Sequence, residues 1–297
     1  MTAQPTGIVV VSTSRASRGL WHDALSRLSR NKPALVGLFF IAVFVVGAIL
    51  APWITHFDPT MGNLADSKQG PNFVHWMGTD LNGRDEFTRV LYGARVSLTV
   101  GVVAVSFGLL GGAFVGALAG GAGGIVDSIL MRIVDVLLAV PGILLAIGIV
   151  AWLGHGEIQI MLAVGISYAP MFARLLRSSL LALRESDYVM AARSMGASPV
   201  RILVRHMLPN ALTPLIVQAT LFAATAIIDV AGLGFLGLGP GDPRTAEWGE
   251  MLTKASDYLQ SAPYLIFFPG VAIVVSAIGF NLLGDGLREA LDPRLKR

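Results

Sequence analysis

Few side chains in this sequence could do chemistry, and most of those stand where lipid would have to receive them. Asp229 lies about seventeen residues into an apolar run that opens near Leu212. A carboxylate held in such a run is costly; it either lines a path and meets a cationic amino group, or bonds to a neighbouring helix. A single carboxylate with no partner evident in the sequence favours the second use. Asp127, Arg132 and Asp135 cluster at the edge of another apolar run and read as an interfacial ion-pair network. Asn281 and Asp285, four residues apart, read as helix-end glue. Asp80–Asp85 contains D-x-N-G, the start of a calcium loop, but no glutamate stands at the twelfth position. A capped turn opening an amphipathic helix accounts for it better, with Gly83 in the turn and Phe87, Val90 and Leu91 towards the membrane. Trp248 either anchors at a membrane interface or touches a protein outside. With no cysteine and five scattered histidines, neither a metal site nor a catalytic constellation emerges. The phosphate-binding pattern G-x-x-x-x-G-K-[ST] is absent, so the chain is not expected to be an enzyme by itself.

These residues need a scaffold, and composition says which. Hydrophobic residues make up 54% of the 297 and charged ones 14%, against about 25% charged in soluble domains. This is an integral membrane protein, and no basic stripe interleaved with aromatics suggests nucleic acid. A bilayer core takes about 20 apolar residues per helix. Six runs qualify, at 34–54, 96–119, 129–153, 158–172, 212–236 and 264–284. The fourth is short, because Arg174 and Arg177 arrive early; a helix continuing beyond the membrane would carry them. In the second, Gly108, Gly112, Gly116 and Gly120 recur every four residues, a stripe that lets helix backbones approach closely in lipid. Packing within the chain is the simpler use of it than a partner interface. Pro141 removes a backbone donor and kinks the third run, which in a transporter would shape the pathway.

Orientation follows from where Lys and Arg concentrate. The tail 1–33, the stretch Arg174–Arg205 and the tail 285–297 together carry fifteen of them, against six in the loops 55–95 and 238–263. The expectation is a six-span domain over 34–284 with both termini and the loop 174–211 in the cytosol. The other two loops then lie outside.

The loop 174–211 holds the most informative stretch, DYVMAARSMGASPVRILVRHMLP at 187–209. It reads as two short helices. Tyr188, Ala191, Ala192 and Met195 fall on one face of the first, Gly196 ends it through a left-handed cap, and Ser198 with Pro199 opens the second. Val200, Leu203, Val204 and Met207 form the second helix's apolar face, and Pro209 marks the return to membrane. On spacing alone, the first face either meets a cytosolic partner or packs on the chain's own helix ends.

This hairpin resembles the coupling loop of ABC importer permeases, in which E-A-A, three residues, G, nine residues, I, any residue and L-P recur. Ala191, Ala192, Gly196, Leu208 and Pro209 match in register, while Met190 and His206 replace the glutamate and the isoleucine. GTDLNGRDEFTRVLYGARVSL at 78–98, MRIVDVLLAVPGILLAI at 131–147, GFLGLG at 234–239, EWGEML at 247–252 and FNLLGDGLREALDPR at 280–294 resemble the C-type permeases of dipeptide and oligopeptide importers. The resemblance implies the type I importer fold and a place in a prokaryotic inner membrane. It implies a related B-type permease as companion, two cytosolic ATPases that hold ATP and Mg, and an extracytoplasmic substrate-binding protein. It also makes Tyr188, Ala191, Ala192 and Met195 the face that docks on an ATPase. A peptide cargo is implied, with glutathione, a nickel chelate or another small solute as the alternative. A self-sufficient secondary transporter would show inverted repeats or broken helices carrying buried charge, and neither stands out.

Overall fold

The computed structural model describes residues 25–242 and 244–291. The N-terminal tail up to residue 24, with Arg15 and Arg18, and residues 292–297 lie outside the described residues. The architecture is helical throughout: α1 Lys32–Ile54, α2 Glu86–Ala122, α3 Gly124–Leu138, α4 Gly142–Leu153, α5 Glu157–Arg184, α6 Asp187–Ser194, α7 Pro199–Leu238, α8 Trp248–Ala255 and α9 Tyr264–Leu291. Five of these, α1, α2, α5, α7 and α9, are long and apolar enough to cross a membrane. A sixth crossing forms if α3 and α4, which meet at 92°, count as one broken span.

That break corrects the expected kinked span at 129–153. Proline clashes with the turn before it and also biases the preceding residue away from helical ψ. Pro141 accordingly sits in an extended conformation (φ −53°, ψ 131°) as the N-cap of α4. The Arg174 and Arg177 expectation holds, since α5 runs on to Arg184 without interruption. Helix α9 continues to Leu291, so the first residues of the expected tail 285–297 are helical. Asn281 and Asp285 are both exposed on α9 and make no side-chain hydrogen bond or ion pair among the described residues.

The core is built on the α2–α5 pair. A Cβ placed on Gly108 would lie 2.6 Å from the Gly165 carbonyl oxygen, and one on Gly116 would lie 2.5 Å from that of Ala173. Gly112 meets Ala169 and Phe172 in the same way, and Gly120 meets Leu180. The stripe is therefore an intramolecular seam in which backbone touches backbone.

At the end remote from the hairpin, Asp85 caps α2 by accepting from Thr88 N at 2.8 Å. Gly83 takes φ +70°, and the Asp80 carboxylate folds back on Arg84 Nε at 2.7 Å. The D-x-N-G segment is thus a capped turn. Val90, expected towards the membrane, is buried, and its carbonyl accepts from Trp248 Nε1 at 3.0 Å. Trp248 is wholly buried, edge-on to Phe44. It is neither an interfacial anchor nor a docking residue, because α8 folds into the bundle instead of lying over it. Glu247 caps α8, accepting from Gly249 N at 2.9 Å and Glu250 N at 2.8 Å. Burial raises its pKa above the ordinary carboxylate range despite these donors.

Candidate functional site: a clamped hairpin

The hairpin opens at Ser186, in extended conformation, and α6 runs to Ser194. Its end is a Schellman cap: Ala197 N donates to the Ala192 carbonyl at 3.1 Å and Gly196 N to that of Arg193 at 3.0 Å. Gly196 adopts φ +78°, the left-handed position such a cap requires. Ser198 then starts the next helix, accepting from Arg201 N, with Pro199 in its first turn. These local expectations hold.

The faces divide differently from the sequence reading. Val189 and Ala192 are buried and join the main hydrophobic core, whereas Tyr188 and Met195 are 41% and 82% exposed and Ala191 is exposed beside them. Ala192 therefore packs on the chain's own helices and is not part of an outward face. The reason is rotational: Val189 and Ala192 stand three apart and share the inward side. Spacing of i, i+3, i+4 and i+7 counted from Tyr188 leaves Val189 off the face, and only the core it joins shows its inward turn.

The second helix also differs. Val200 and Val204 are exposed, and the buried residues are Ile202 and Met207. Residues Ile202–Met207 form a π turn, and its wider spacing places residues five apart on one side. The wider turn coincides with Pro209, which cannot donate to a preceding carbonyl. Helix α7 continues through Pro209 and Pro214, with Asn210 Nδ2 donating to the His206 carbonyl at 2.7 Å. Pro209 thus marks no interruption, and hairpin and membrane helix are one rod.

A contact at Leu203 fixes this rod to the bundle, and two more tie the end of α5 that leads into the hairpin to α2 and α3. Arg184 Nη2 donates to the Gly120 carbonyl at 3.1 Å. Leu203 covers Gly121, where an added Cβ would lie 2.7 Å from Leu203 Cδ2. Asp127 takes both Arg177 nitrogens at 2.5 and 2.6 Å. Asp135 pairs with Arg174, so the expected ion-pair network exists, but its cations come from α5. Arg132 is exposed.

Inside the bundle, Asp229 accepts from Tyr168 Oη at 2.6 Å. That bond between α7 and α5 is the helix-to-helix use of the carboxylate. Tyr168 also stacks on Phe222 at 4.8 Å. Pro141 stands at the α3–α4 bend. No group of three or more metal-ligating side chains exists among the described residues.

Membrane-crossing helices joined by a clamped hairpin, with an outward face left open, define a multi-pass membrane protein. The family model for the binding-protein-dependent transport system inner membrane component matches residues 112–297. The N-terminal TM domain of oligopeptide transport permease C matches residues 19–71. The dipeptide transport system permease protein DppC of Alkalihalophilus pseudofirmus is 48% identical over 276 residues, covering 93% of this chain and 90% of the relative. The glutathione transport system permease protein GsiD of Shigella flexneri is 45% identical over 277 residues, covering 93% and 91%. Among solved structures, the inward-facing MetNI methionine ABC transporter aligns with TM-score 0.58 at 23% identity, over 69% of this chain and 96% of that one; this likeness is one of fold. The chain belongs to the family of binding-protein-dependent transport system inner membrane components. It is a multi-pass permease subunit of an ABC importer with the type I fold.

Proposed function

We propose that this permease carries di- or oligopeptides inward and forms half of the pathway beside a B-type permease. Its hairpin docks on one of two cytosolic ATPases, which hold ATP and Mg, and a binding protein delivers cargo from outside. Both termini lie in the cytosol, in keeping with the bias of fifteen basic residues against six. The observation that carries this reading is the split hairpin. Val189 and Ala192 are sunk in the core while Tyr188, Ala191 and Met195 stand free, the form of a lever gripped on one side and offered on the other. A rigid contact of this kind converts closure of an ATPase pair into helix movement.

The test is Ala191→Arg, an outward change, compared with Ala192→Arg, an inward one. Ala191→Arg is expected to insert and fold normally yet lose co-purifying ATPase, whereas Ala192→Arg lowers the permease's own yield. Normal recovery of ATPase with Ala191→Arg would overturn the docking assignment. The glutathione reading stays alive because the glutathione permease relative is nearly as similar as the dipeptide one. Uptake of labelled dipeptide that excess dipeptide suppresses and glutathione does not would decide for peptides.

A further inference from the structure

At the end of α1 remote from the hairpin, aromatic side chains are held outward by an ordered backbone. Phe73 is fully exposed, Trp53 is 75% exposed and Trp76 is 63% exposed. This is no slack loop. Asn72 Oδ1 accepts from Val74 N and His75 N, both at 2.8 Å, a local turn that leaves Phe73 at its tip. Ser67 Oγ donates to the Leu81 carbonyl at 2.8 Å and Gln69 N to Thr79 Oγ1 at 2.9 Å, tying the segment to the capped turn before α2. An open groove of about 190 Å³ lies beside Phe73 and Trp76, with Ile54, Phe57, Val74 and Phe87 among its walls.

We propose that this patch is an interfacial anchor, seated in the headgroup and upper acyl zone of the leaflet opposite the hairpin, with the groove taking part of a lipid chain. Continuity decides the occupant. Phe39, Val43, Val46, Ile49 and Trp53 form an exposed apolar stripe along α1, and Ile54, the last residue of α1, is also a wall of the groove. The exposed apolar stripe thus reaches the patch through Ile54, and the groove's polar walls, Thr55, His56, Asp85 and Thr88, suit headgroup depth. At about 1.5 Å per residue, the 23 residues of α1 span the roughly 30 Å apolar core, so Trp53 arrives at the depth where Trp and Tyr concentrate. Charge agrees: residues 53–76 carry a single cation, Lys68, whose Nζ lies over the Tyr258 ring. The anchor therefore acts through aromatic and apolar burial and does not depend on anionic lipid. The inference needs only that α1 spans a bilayer; it is independent of the cargo and of hairpin docking.

The sequence contains no cysteine, so a single spin label reads depth cleanly in the assembled transporter held in nanodiscs. A nitroxide on Phe73→Cys is expected to collide more with oxygen than with a water-soluble nickel chelate. Its depth parameter should shift towards that of Phe39→Cys on the α1 stripe and away from that of Gln260→Cys, an exposed position on the other loop at this end. Nickel-dominated collisions would place the patch in water and overturn the proposal. Protection from both reagents would place it under a protein partner and overturn it equally. As a second readout, the fluorescence that Trp76→Phe removes should be quenched by lipids brominated high on the acyl chain. Indifference to bromine would also refute the anchor.

Discussion

Replacing Gly116 by alanine tests whether the α2–α5 seam is set by backbone contact. The new Cβ would fall 2.5 Å from the Ala173 carbonyl oxygen and 3.0 Å from Leu176 Cβ, where ordinary contact begins at 3.4 Å. The nearest obstacle is main chain inside a helix, so it has no rotamer through which to yield. The two helices must part by about 0.9 Å (3.4 minus 2.5), and the neighbouring contacts at Gly112 and Gly120 open with them. A gap near that size forfeits about a quarter to a half of each van der Waals well it opens, and overpacking of this kind costs about 1–3 kcal/mol. Alanine also favours helix over glycine by up to about 1 kcal/mol, which would mask part of the loss. Gly111→Ala supplies the correction: it makes the same change on the same helix with nothing within 4 Å of the new Cβ. The steric contribution is the difference between the two variants, roughly 5- to 140-fold in the folding equilibrium at 1.4 kcal/mol per decade. Detergent-titration unfolding in mixed micelles, followed by circular dichroism, measures it. If Gly116→Ala unfolds at the same midpoint as Gly111→Ala, the seam is softer than argued and the reasoning fails.

Three further outcomes are expected. Glu247 has a folded pKa raised by burial, so the native state keeps its proton at pH values where the unfolded chain has lost it. Its contribution is fully present below the ordinary glutamate pKa and is lost as pH rises through the folded value. Thermal melts across that window should show Glu247→Gln losing less stability than the parent as pH rises, and parallel curves would contradict this. Trp248→Ala empties a fully buried site against Gly93 and Phe44 and should cost about 3–5 kcal/mol, seen as loss of folded protein in detergent; an unchanged melting midpoint would refute its structural role. Tyr168→Phe and Asp229→Asn should couple by about 0.6 kcal/mol, at most about 1.7, in a double-mutant unfolding cycle. Strictly additive effects would mean that the 2.6 Å bond contributes nothing.

Local signals were legible in the sequence, and contacts between distant segments were not. Gly196, Ser198 and Pro199 act through the backbone within a few residues, so their types sufficed to place the cap and the restart. The glycine stripe was legible for the same reason: a four-residue repeat fixes a face whatever lies opposite. The rotation of α6 was not, because alanine is compatible with either side, and only the core around Val189 decides that Ala192 turns inward. Trp248 shows the converse failure. Its place in an outer loop suggested an interface, but the partner that buries it, the Val90 carbonyl, lies 158 residues away. The π turn was beyond the helical template used for that segment. A fixed 3.6-residue period grouped Val200 and Val204 with Leu203 and Met207, whereas the structure buries Ile202 beside Met207 and leaves both valines exposed.

The distribution of stiffness then bears on how a push at the hairpin travels. Between α2 and α5 the glycine seam brings main chain against main chain, leaving no side-chain layer to absorb displacement. Leu203 attaches the hairpin to the seam at Gly121, where Arg184 at the end of α5 also reaches the Gly120 carbonyl of α2. A force on α6 is therefore delivered to two long helices as one body. The next segment is jointed. Gly123 and Gly124 both take positive φ, at +68° and +57°, and Pro141 separates α3 from α4 at 92°. The Asp127–Arg177 and Asp135–Arg174 pairs tie α3 back to α5, whereas across the bend α4 meets α5 chiefly through apolar side chains such as Ala146, Val150 and Ile160. Apolar contacts lack the directionality of charge-assisted hydrogen bonds. Under the proposed coupling, movement of the α2–α5 body carries α3 with it, and the bend at Pro141 is the joint about which α4 changes its angle.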